Sequence, residues 1–151
     1  MENFVRYRHC VGETGLHIQL TPKYRRNVFA DETIREGCRR ILYEIGRRIG
    51  IGVQAIEFGP NHVHLFVTNW RKYSVSQLAQ YLKGASSREI RRTMWERVRK
   101  YEWGKAFWHG GYFFETVGRI TSESIKFYIE RMQGKHWKHP VQQAKLDAFA
   151  N

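Results

Sequence analysis

Two histidines, His62 and His64, stand two residues apart in the segment GPNHVHLFV. The alternating apolar residues predict a β-strand over residues 62–68, and residues i and i+2 of a strand share one face. Two imidazoles on one face can bind a single divalent cation, and by softness they suit manganese, zinc or iron better than magnesium. Such a site needs a third ligand. The alternative is a pair of exposed or hydrogen-bonded histidines on an amphipathic strand.

A second candidate for chemistry is Tyr128, in the segment SESIKFYIERMQ. A tyrosine can attack a phosphate that a metal polarises, and the product is a covalent phosphotyrosine. The alternative is structural. Ile125, Ile129 and Met132 share helical spacing with Tyr128 and would form one apolar stripe with it.

The composition favours a nucleic-acid partner. The chain has 151 residues, 26 Lys and Arg against 14 Asp and Glu, a net charge of +12 and 15% aromatic residues. Phosphates attract such a charge, and bases stack on aromatic rings. The alternative is a basic protein that binds no nucleic acid.

The sequence also indicates a compartment. No apolar run reaches the roughly 18 residues that cross a bilayer, and the N-terminus lacks the apolar segment of a signal peptide. The two cysteines, Cys10 and Cys38, form no CxxC pair and favour free thiols in a reducing cytoplasm. We therefore expect a cytoplasmic protein with no membrane partner.

Hydrophobic periodicity predicts the element order β-α-β-β-α-β followed by a terminal helix. The strands are expected at residues 16–21, 53–58, 62–68 and 112–117. Asp31 and Gly50 bound the first helix, a capping box at Ser74 opens the second, and the last covers about 123–133. The weak helix formers of residues 83–87 predict an interruption of the second helix.

This order predicts an α+β fold, a ferredoxin-like (RRM-like) βαββαβ antiparallel sheet with a C-terminal helix. In that topology His62 and His64 lie on the sheet face away from the crossover helices, beside His17 and Gln19. The terminal helix is expected to cover that face. We expect one domain over residues 1–151, with a sheet core at about 16–117, the terminal helix at about 121–133 and a tail at 134–151.

Several segments carry a family resemblance: PKYRR, PNHVHLFV, YLKGASSR, WHGGYFFETVG and SIKFYIERMQ. Their order over about residues 16–133 resembles that of the single-tyrosine HUH transposases, small enzymes of insertion sequences that move as single-stranded DNA. The resemblance implies that His62 and His64 bind the Mg²⁺ or Mn²⁺ that holds the scissile phosphate. It also implies that Tyr128, on the C-terminal helix, is the nucleophile, which forms a 5′-phosphotyrosine and frees a 3′-OH.

The third metal ligand departs from the family pattern. The family usually has a glutamine four residues after the tyrosine, where this chain has Met132, and Gln133 follows. One residue rotates a side chain by about 100° around a helix, and a wide turn, a π-bulge or a frayed end near Gly134 could bring Gln133 round. We retain Gln133 as the expected ligand, with His136 and His139 as fallbacks. Otherwise water or another ligand completes the site, or the site is inactive.

The resemblance further implies a homodimer whose tyrosine helix can complete the partner's metal site, with Gly118 as the hinge. Single-stranded DNA with hairpin ends is the expected substrate, which places the protein at the nucleoid. The expected DNA contacts are basic residues: Lys23, Arg25, Arg26, Lys83, Arg88, Arg91 and Arg92.

Three other functions are weighed against this one. A domesticated HUH nickase that processes repeated chromosomal hairpins shares the site. A replication-initiation or relaxase nickase shares the chemistry but not these motifs. A non-catalytic ferredoxin-like protein that binds RNA or single-stranded DNA needs neither Tyr128 nor the two histidines.

Overall fold

The chain forms a four-stranded antiparallel sheet with two helices on one face and a third on the other. The computed structural model describes residues 4–7, 10–13, 15–101 and 104–133. The strands and helices, in chain order, are β1 (Phe4–Tyr7), β2 (Cys10–Glu13), β3 (Gly15–Leu20), α1 (Glu32–Ile49), β4 (Gly52–Gly59), β5 (His62–Thr68), α2 (Val75–Val98), β6 (Phe113–Val117) and α3 (Ser122–Gln133).

The sheet confirms the predicted topology. Its strand order is β4-β5-β3-β6, and every neighbouring pair is antiparallel. β3 and β5, the first and third strands of the predicted order, are the central neighbours, as a ferredoxin-like fold requires. The sequence did not indicate the separate hairpin of β1 and β2. None of the described helices is long and apolar enough to span a membrane.

The ends of α1 and the start of α2 follow the local signals in the sequence. The Asp31 side chain accepts from the Ile34 backbone N–H at 3.2 Å. Gly50 closes α1 in the left-handed conformation with φ of +78°. Ser74 and Gln77 form the reciprocal bonds of a capping box. Each such N-cap is typically worth about 1 kcal/mol.

The predicted interruption of the second helix is wrong. α2 is continuous through residues 83–87, and its one non-helical backbone residue is Met94. The Ser86 hydroxyl donates to the Leu82 carbonyl one turn earlier and accepts from the Trp108 indole N–H at 2.8 Å. Because both bonds satisfy the hydroxyl inside the helix, Ser86 does not compete with the helical backbone.

The face of the sheet under α1 and α2, here the α1/α2 face, carries the main hydrophobic core. Alternate residues of β3 and β5 are fully buried on it: Leu16, Ile18, Leu20, Val63, Leu65 and Val67. They pack against apolar residues of the two helices, among them Ile34, Leu42, Leu78 and Leu82. Cys38 is a buried free thiol in this core, and the Cys10 side chain lies outside the described part.

The opposite face, here the α3 face, confirms the expected position of the terminal helix. Phe66, Val117 and Ile120 form a smaller apolar cluster, against which Ile125, Tyr128 and Ile129 pack. This places α3 over the strand positions that alternate with the main core. The tail at 134–151, with His136 and His139, lies outside the described residues.

Candidate active site

The two histidines of β5 lie side by side on the α3 face. Their ring centroids are 4.9 Å apart and the rings are nearly perpendicular. A tight turn through Pro60 and Asn61 joins β4 to β5 and pairs Gly59 with His62. A β-carbon at Gly59 would overlap the His62 imidazole, so only glycine leaves room for that ring.

A hydrogen-bonded chain across three strands fixes the proton of His64. The Glu115 carboxylate of β6 accepts from His17 Nδ1 at 3.1 Å, so a neutral His17 carries its lone pair on Nε2. That Nε2 lies 2.9 Å from His64 Nδ1, which must therefore donate. A neutral His64 then carries its lone pair on Nε2. A metal-binding histidine is commonly oriented in this way by a carboxylate or another group that is hydrogen-bonded to its other ring nitrogen.

His62 has the same proton arrangement from a local source. Its Nδ1 donates to the Asn61 side-chain oxygen at 2.8 Å, which leaves the lone pair of a neutral ring on Nε2. Burial and the Arg25 guanidinium lower the pKa of His62 to about 4. Burial, with help from His17 and His62, holds the pKa of His64 well below its ordinary value. Both rings are therefore neutral at pH 7, the form that binds metal.

The pair can thus supply two imidazole ligands to one divalent cation. Among the described side chains, no group of three or more His, Cys, Asp or Glu could hold a metal. Within the described part of the chain, a further protein ligand would therefore be of another type. Gln133 is the last residue of α3, and its side chain lies outside the described part.

Tyr128 projects from α3 into the same neighbourhood. Thr121 and Ser124 cap this helix by reciprocal bonds of 3.1 and 2.8 Å. The Tyr128 ring lies 6.1 Å from the ring of His17, the residue bonded to His64. The Arg131 guanidinium lies 5.0 Å from the same tyrosine ring.

Glu115 connects the tyrosine helix to the histidines. Its two carboxylate oxygens bind His17 and Arg131 respectively. Burial would raise the pKa of Glu115, but the bonds from His17 and Arg131 outweigh burial, and its pKa is lowered. One ionised carboxylate therefore contacts both the support of His64 and the helix that carries Tyr128.

Three of the expected DNA-contact residues, Lys23, Arg25 and Lys83, converge near one edge of this site. After burial, all three contribute to lowering the pKa of His109, and Arg25 also acts on His62. Tyr24 and Arg25 both have positive φ, 62° and 53°. Such strain in residues other than glycine is typical of functional segments.

Of the other four expected contacts, Arg26 lies beside the same segment, and Arg88, Arg91 and Arg92 lie on α2. Arg26 lies 5.7 Å from the Tyr24 ring. Arg91 donates to the Gly104 carbonyl and stacks on Trp95, so it supports the loop after α2. Arg88 and Arg92 are exposed on α2, where Arg92 pairs with Glu89 at 2.8 Å.

Gly118 remains a predicted hinge. It is exposed after β6, with open space where a β-carbon would stand, and it is not among the residues with positive φ. The described backbone path therefore does not itself require glycine there.

Sequence reasoning missed the roles of Gly59, Glu115 and Arg131, and the bond that His64 donates to His17. No pattern in the sequence indicates that the missing side chain of Gly59 makes room for the His62 imidazole. His17 and Glu115 are 98 residues apart, so no spacing rule joins them. The available signal was charge inside a strand, since Glu115 interrupts the apolar segment YFFETV.

Comparison with known proteins gives a consistent family. The family model described as "Transposase IS200 like" matches residues 10–132. The ISDra2 transposase TnpA of Deinococcus radiodurans is 30% identical over 128 residues, covering 85% of this chain and 90% of that protein. The transposase for insertion sequence element IS200 of Salmonella typhimurium is 32% identical over 130 residues, covering 86% and 78%.

Solved structures agree on the fold. A crystal structure from Deinococcus radiodurans R1, described as a transposase, superposes with a TM-score of 0.67 at 29% identity, covering 84% of this chain and 96% of that one. A REP-associated tyrosine transposase bound to a REP hairpin superposes with a TM-score of 0.53 at 14% identity, covering 89% and 75%. At 14% identity the second likeness shows the fold alone.

Proposed function

This chain belongs to the family of IS200-like transposases, and from that membership we propose that it cleaves and rejoins single-stranded DNA through Tyr128. The observation that carries the proposal is the shared position of two groups on the α3 face. His62 and His64 lie side by side there, and the ring of Tyr128 lies beside His17, which bonds His64.

In the proposed reaction the Tyr128 phenol oxygen forms a bond to the scissile phosphorus. The bond from phosphorus to the 3′-oxygen breaks, the phenol gives up its proton, and the 3′-oxygen becomes a hydroxyl. Attack by another 3′-OH reverses the step and joins new strands. Mg²⁺ or Mn²⁺ bound to His62 and His64, with Gln133 as the third ligand expected from the family pattern, would polarise the phosphate.

The substrate in this proposal is single-stranded DNA with hairpin ends. A structural neighbour was solved with a hairpin bound, and the net charge of +12 suits any phosphate backbone. In this proposal Lys23, Arg25 and Lys83 would hold DNA near His109, and Arg25 would also lie near His62, whereas Arg88 and Arg92 would contact more distant phosphates. We also propose a homodimer, with Gly118 as the hinge that allows α3 to serve either protomer, at work on DNA in the nucleoid.

The direct test uses labelled single-stranded DNA that carries the element's own hairpin end. With Mn²⁺ or Mg²⁺, wild-type protein should form a covalent adduct that survives denaturing electrophoresis. Tyr128→Phe should abolish the adduct and retain DNA binding. Tyr43→Phe is the matched control, because Tyr43 is 39% exposed on α1, away from the α3 face.

Either of two results would contradict the proposal. An adduct in Tyr128→Phe means that another residue is the nucleophile. Binding of the hairpin DNA with no adduct under either metal favours a non-catalytic nucleic-acid-binding protein.

A further inference from the structure

Gln19 is a buried polar residue on the α3 face whose side-chain oxygen accepts no hydrogen bond from the described residues. The residue is 2% exposed and lies two positions after His17 on β3. Within the described part of the chain, its Oε1 is buried and has no hydrogen-bond partner. A valine or leucine would fit the burial without leaving an acceptor unsatisfied.

Such an orphaned acceptor requires a physical reason. A buried carbonyl oxygen without a partner is unfavourable, because folding removes its bonds to water and returns none. Native proteins leave few such groups, and an ion that completes the bonding is one accepted explanation. The position of Gln19 therefore indicates a missing partner with positive character.

The register places Gln19 against the histidine pair. Gln19 is directly opposite His64 in the pairing of β3 with β5. Opposite residues have Cβ atoms about 4.5–5.5 Å apart, and His62, two residues before His64, is the diagonal neighbour at about 7–8 Å. All three residues belong to the same face, so the Gln19 side chain shares the space beside both imidazoles.

The chemistry of the group matches the cation. A carboxamide oxygen is a hard, neutral donor of the type that suits Mg²⁺ and Mn²⁺. Combined with two neutral imidazoles it gives three protein ligands and leaves positions for phosphate oxygens. Because the third donor is an amide, this set agrees with the lack of a group of three His, Cys, Asp or Glu among the described side chains.

The course of α3 bears on the competing ligand. α3 is α-helical through Gln133. A π-bulge or an early helix end would be needed to turn the Gln133 side chain to the side of the helix that carries Tyr128. Position 133 lies roughly 140° around an ideal helix from position 128, against roughly 40° for position 132. Through Gln133, the described part of α3 is regular α-helix and contains no π-bulge that would turn this residue round.

We propose that Gln19 is a metal ligand of this site, with its Oε1 as the third protein donor beside His62 and His64. The inference rests on the proposed function, because it assumes that the two histidines bind Mg²⁺ or Mn²⁺. It differs from that proposal in the source of the amide, which is β3 rather than α3.

Mn²⁺ alone is the probe, and the unbound ion is counted by its electron paramagnetic resonance signal during titration of the full-length protein. Gln19→Leu should weaken Mn²⁺ binding by about tenfold or more, as loss of a ligand or its support does. Gln19→Glu should bind Mn²⁺ more tightly than wild type, because a carboxylate adds charge at the same place. Gln54→Leu is the matched control on β4 and should bind as wild type does.

Urea unfolding in EDTA gives a second readout that needs no metal. Gln19→Leu should raise the urea midpoint, since it removes the unsatisfied acceptor, while Gln19→Glu should lower it. A substitution that stabilises the metal-free protein and weakens Mn²⁺ binding is expected of a ligand. A merely structural glutamine would lose stability as well.

The outcomes separate the two proposals. If wild type binds Mn²⁺ and Gln19→Leu binds it equally well, the role of Gln19 is overturned and the histidine site stands. If Gln133→Leu weakens binding instead, the amide comes from α3 and the inference is wrong. If wild type binds no Mn²⁺, the metal part of the proposed function fails and the role of Gln19 fails with it.

Discussion

On β3 and β5, neighbouring residues of the chain are buried on opposite faces of the sheet. The α1/α2 face holds Ile18 and Leu65 at 0% exposure, and the α3 face holds His17 and His64 at the same 0%. Burial therefore does not distinguish the two faces. The difference is that the strand residues under α1 and α2 are apolar and need no partners, whereas the α3 face buries, beside its smaller apolar cluster, groups that must be bonded.

That difference assigns separate roles to the two faces. Apolar packing under α1 and α2 supplies most of the stability, because free energy scales with the apolar area removed from water. The bonds on the α3 face run from Glu115 through His17 to His64 and fix orientation. We therefore expect substitutions on one face to change folding, and on the other to change metal binding and chemistry.

Substitutions at the adjacent positions 64 and 65 test the difference between the two faces most strongly. Leu65→Ala should lower the free energy of unfolding by about 2–5 kcal/mol, the usual cost of a buried leucine truncation. His64→Gln should cost no more than about 1.5 kcal/mol, the scale of one hydrogen bond, and abolish Mn²⁺ binding. Urea unfolding and Mn²⁺ titration of both variants measure this; the reverse pattern would remove the distinction between the faces.

Acid should destabilise the protein through the α3 face. Because the folded pKa of His62 is lowered from 6.5 to about 4, the unfolded chain binds the extra proton between these values. The stability gained by keeping His62 neutral is fully present above pH 6.5 and is lost as the pH falls towards 4. The free energy of unfolding should fall by up to about 3 kcal/mol over this range. Urea unfolding in EDTA at pH 7 and pH 4.5 should show a shallower pH dependence for His62→Gln. An unchanged slope would mean that His62 is not held neutral by burial.

The support of His64 by His17 should matter for metal affinity. His17→Leu removes the acceptor for His64 Nδ1 and should weaken Mn²⁺ binding by about 10–100-fold. His17→Gln retains an oxygen acceptor and should restore much of it. Long-range nitrogen NMR of the metal-free protein should find the His64 proton on Nδ1 in wild type and redistributed in His17→Leu. The same tautomer in both would show that His17 does not set it.

A pair of glycines tests the smallest effects. Gly59→Ala should displace the His62 ring and weaken Mn²⁺ binding by about tenfold, the low end for groups that orient a ligand. Gly84→Ala, on α2 with nothing within 4 Å of its β-carbon position, should leave binding unchanged. It should also raise the free energy of unfolding by about 0.5–1 kcal/mol, because alanine is the better helix former. Equal Mn²⁺ affinity in both variants would contradict the role of Gly59.

The features that could be predicted from the sequence are those with local causes. Asp31, Gly50 and Ser74 mark helix ends because capping bonds span only a few residues. Strand alternation likewise placed His62 and His64 on the face away from the crossover helices. The continuity of α2 was missed because Ser86 bonds to Trp108, 22 residues away, which no local propensity records.

The site itself follows the same rule. The spacing of His62 and His64 predicted a pair of potential ligands on one face, and the structure places their rings 4.9 Å apart. The groups that orient His64 come from β3 and β6, so only the folded sheet brings them together. Gln19 could be placed on the face from its strand position, but the burial of its oxygen without a partner among the described residues is seen only in the folded sheet.

The central claim is that Tyr128, on the α3 face, forms the covalent bond to DNA, and peptide mapping of the adduct tests it most directly. Trypsin cuts after Lys126 and Arg131 and releases residues 127–131, FYIER, in which Tyr128 is the sole hydroxyl-bearing side chain. After reaction with hairpin-ended single-stranded DNA and Mn²⁺, then nuclease digestion, mass spectrometry should find the remaining nucleotide mass on this peptide. A nucleotide on any other peptide, with FYIER unmodified, would contradict the account.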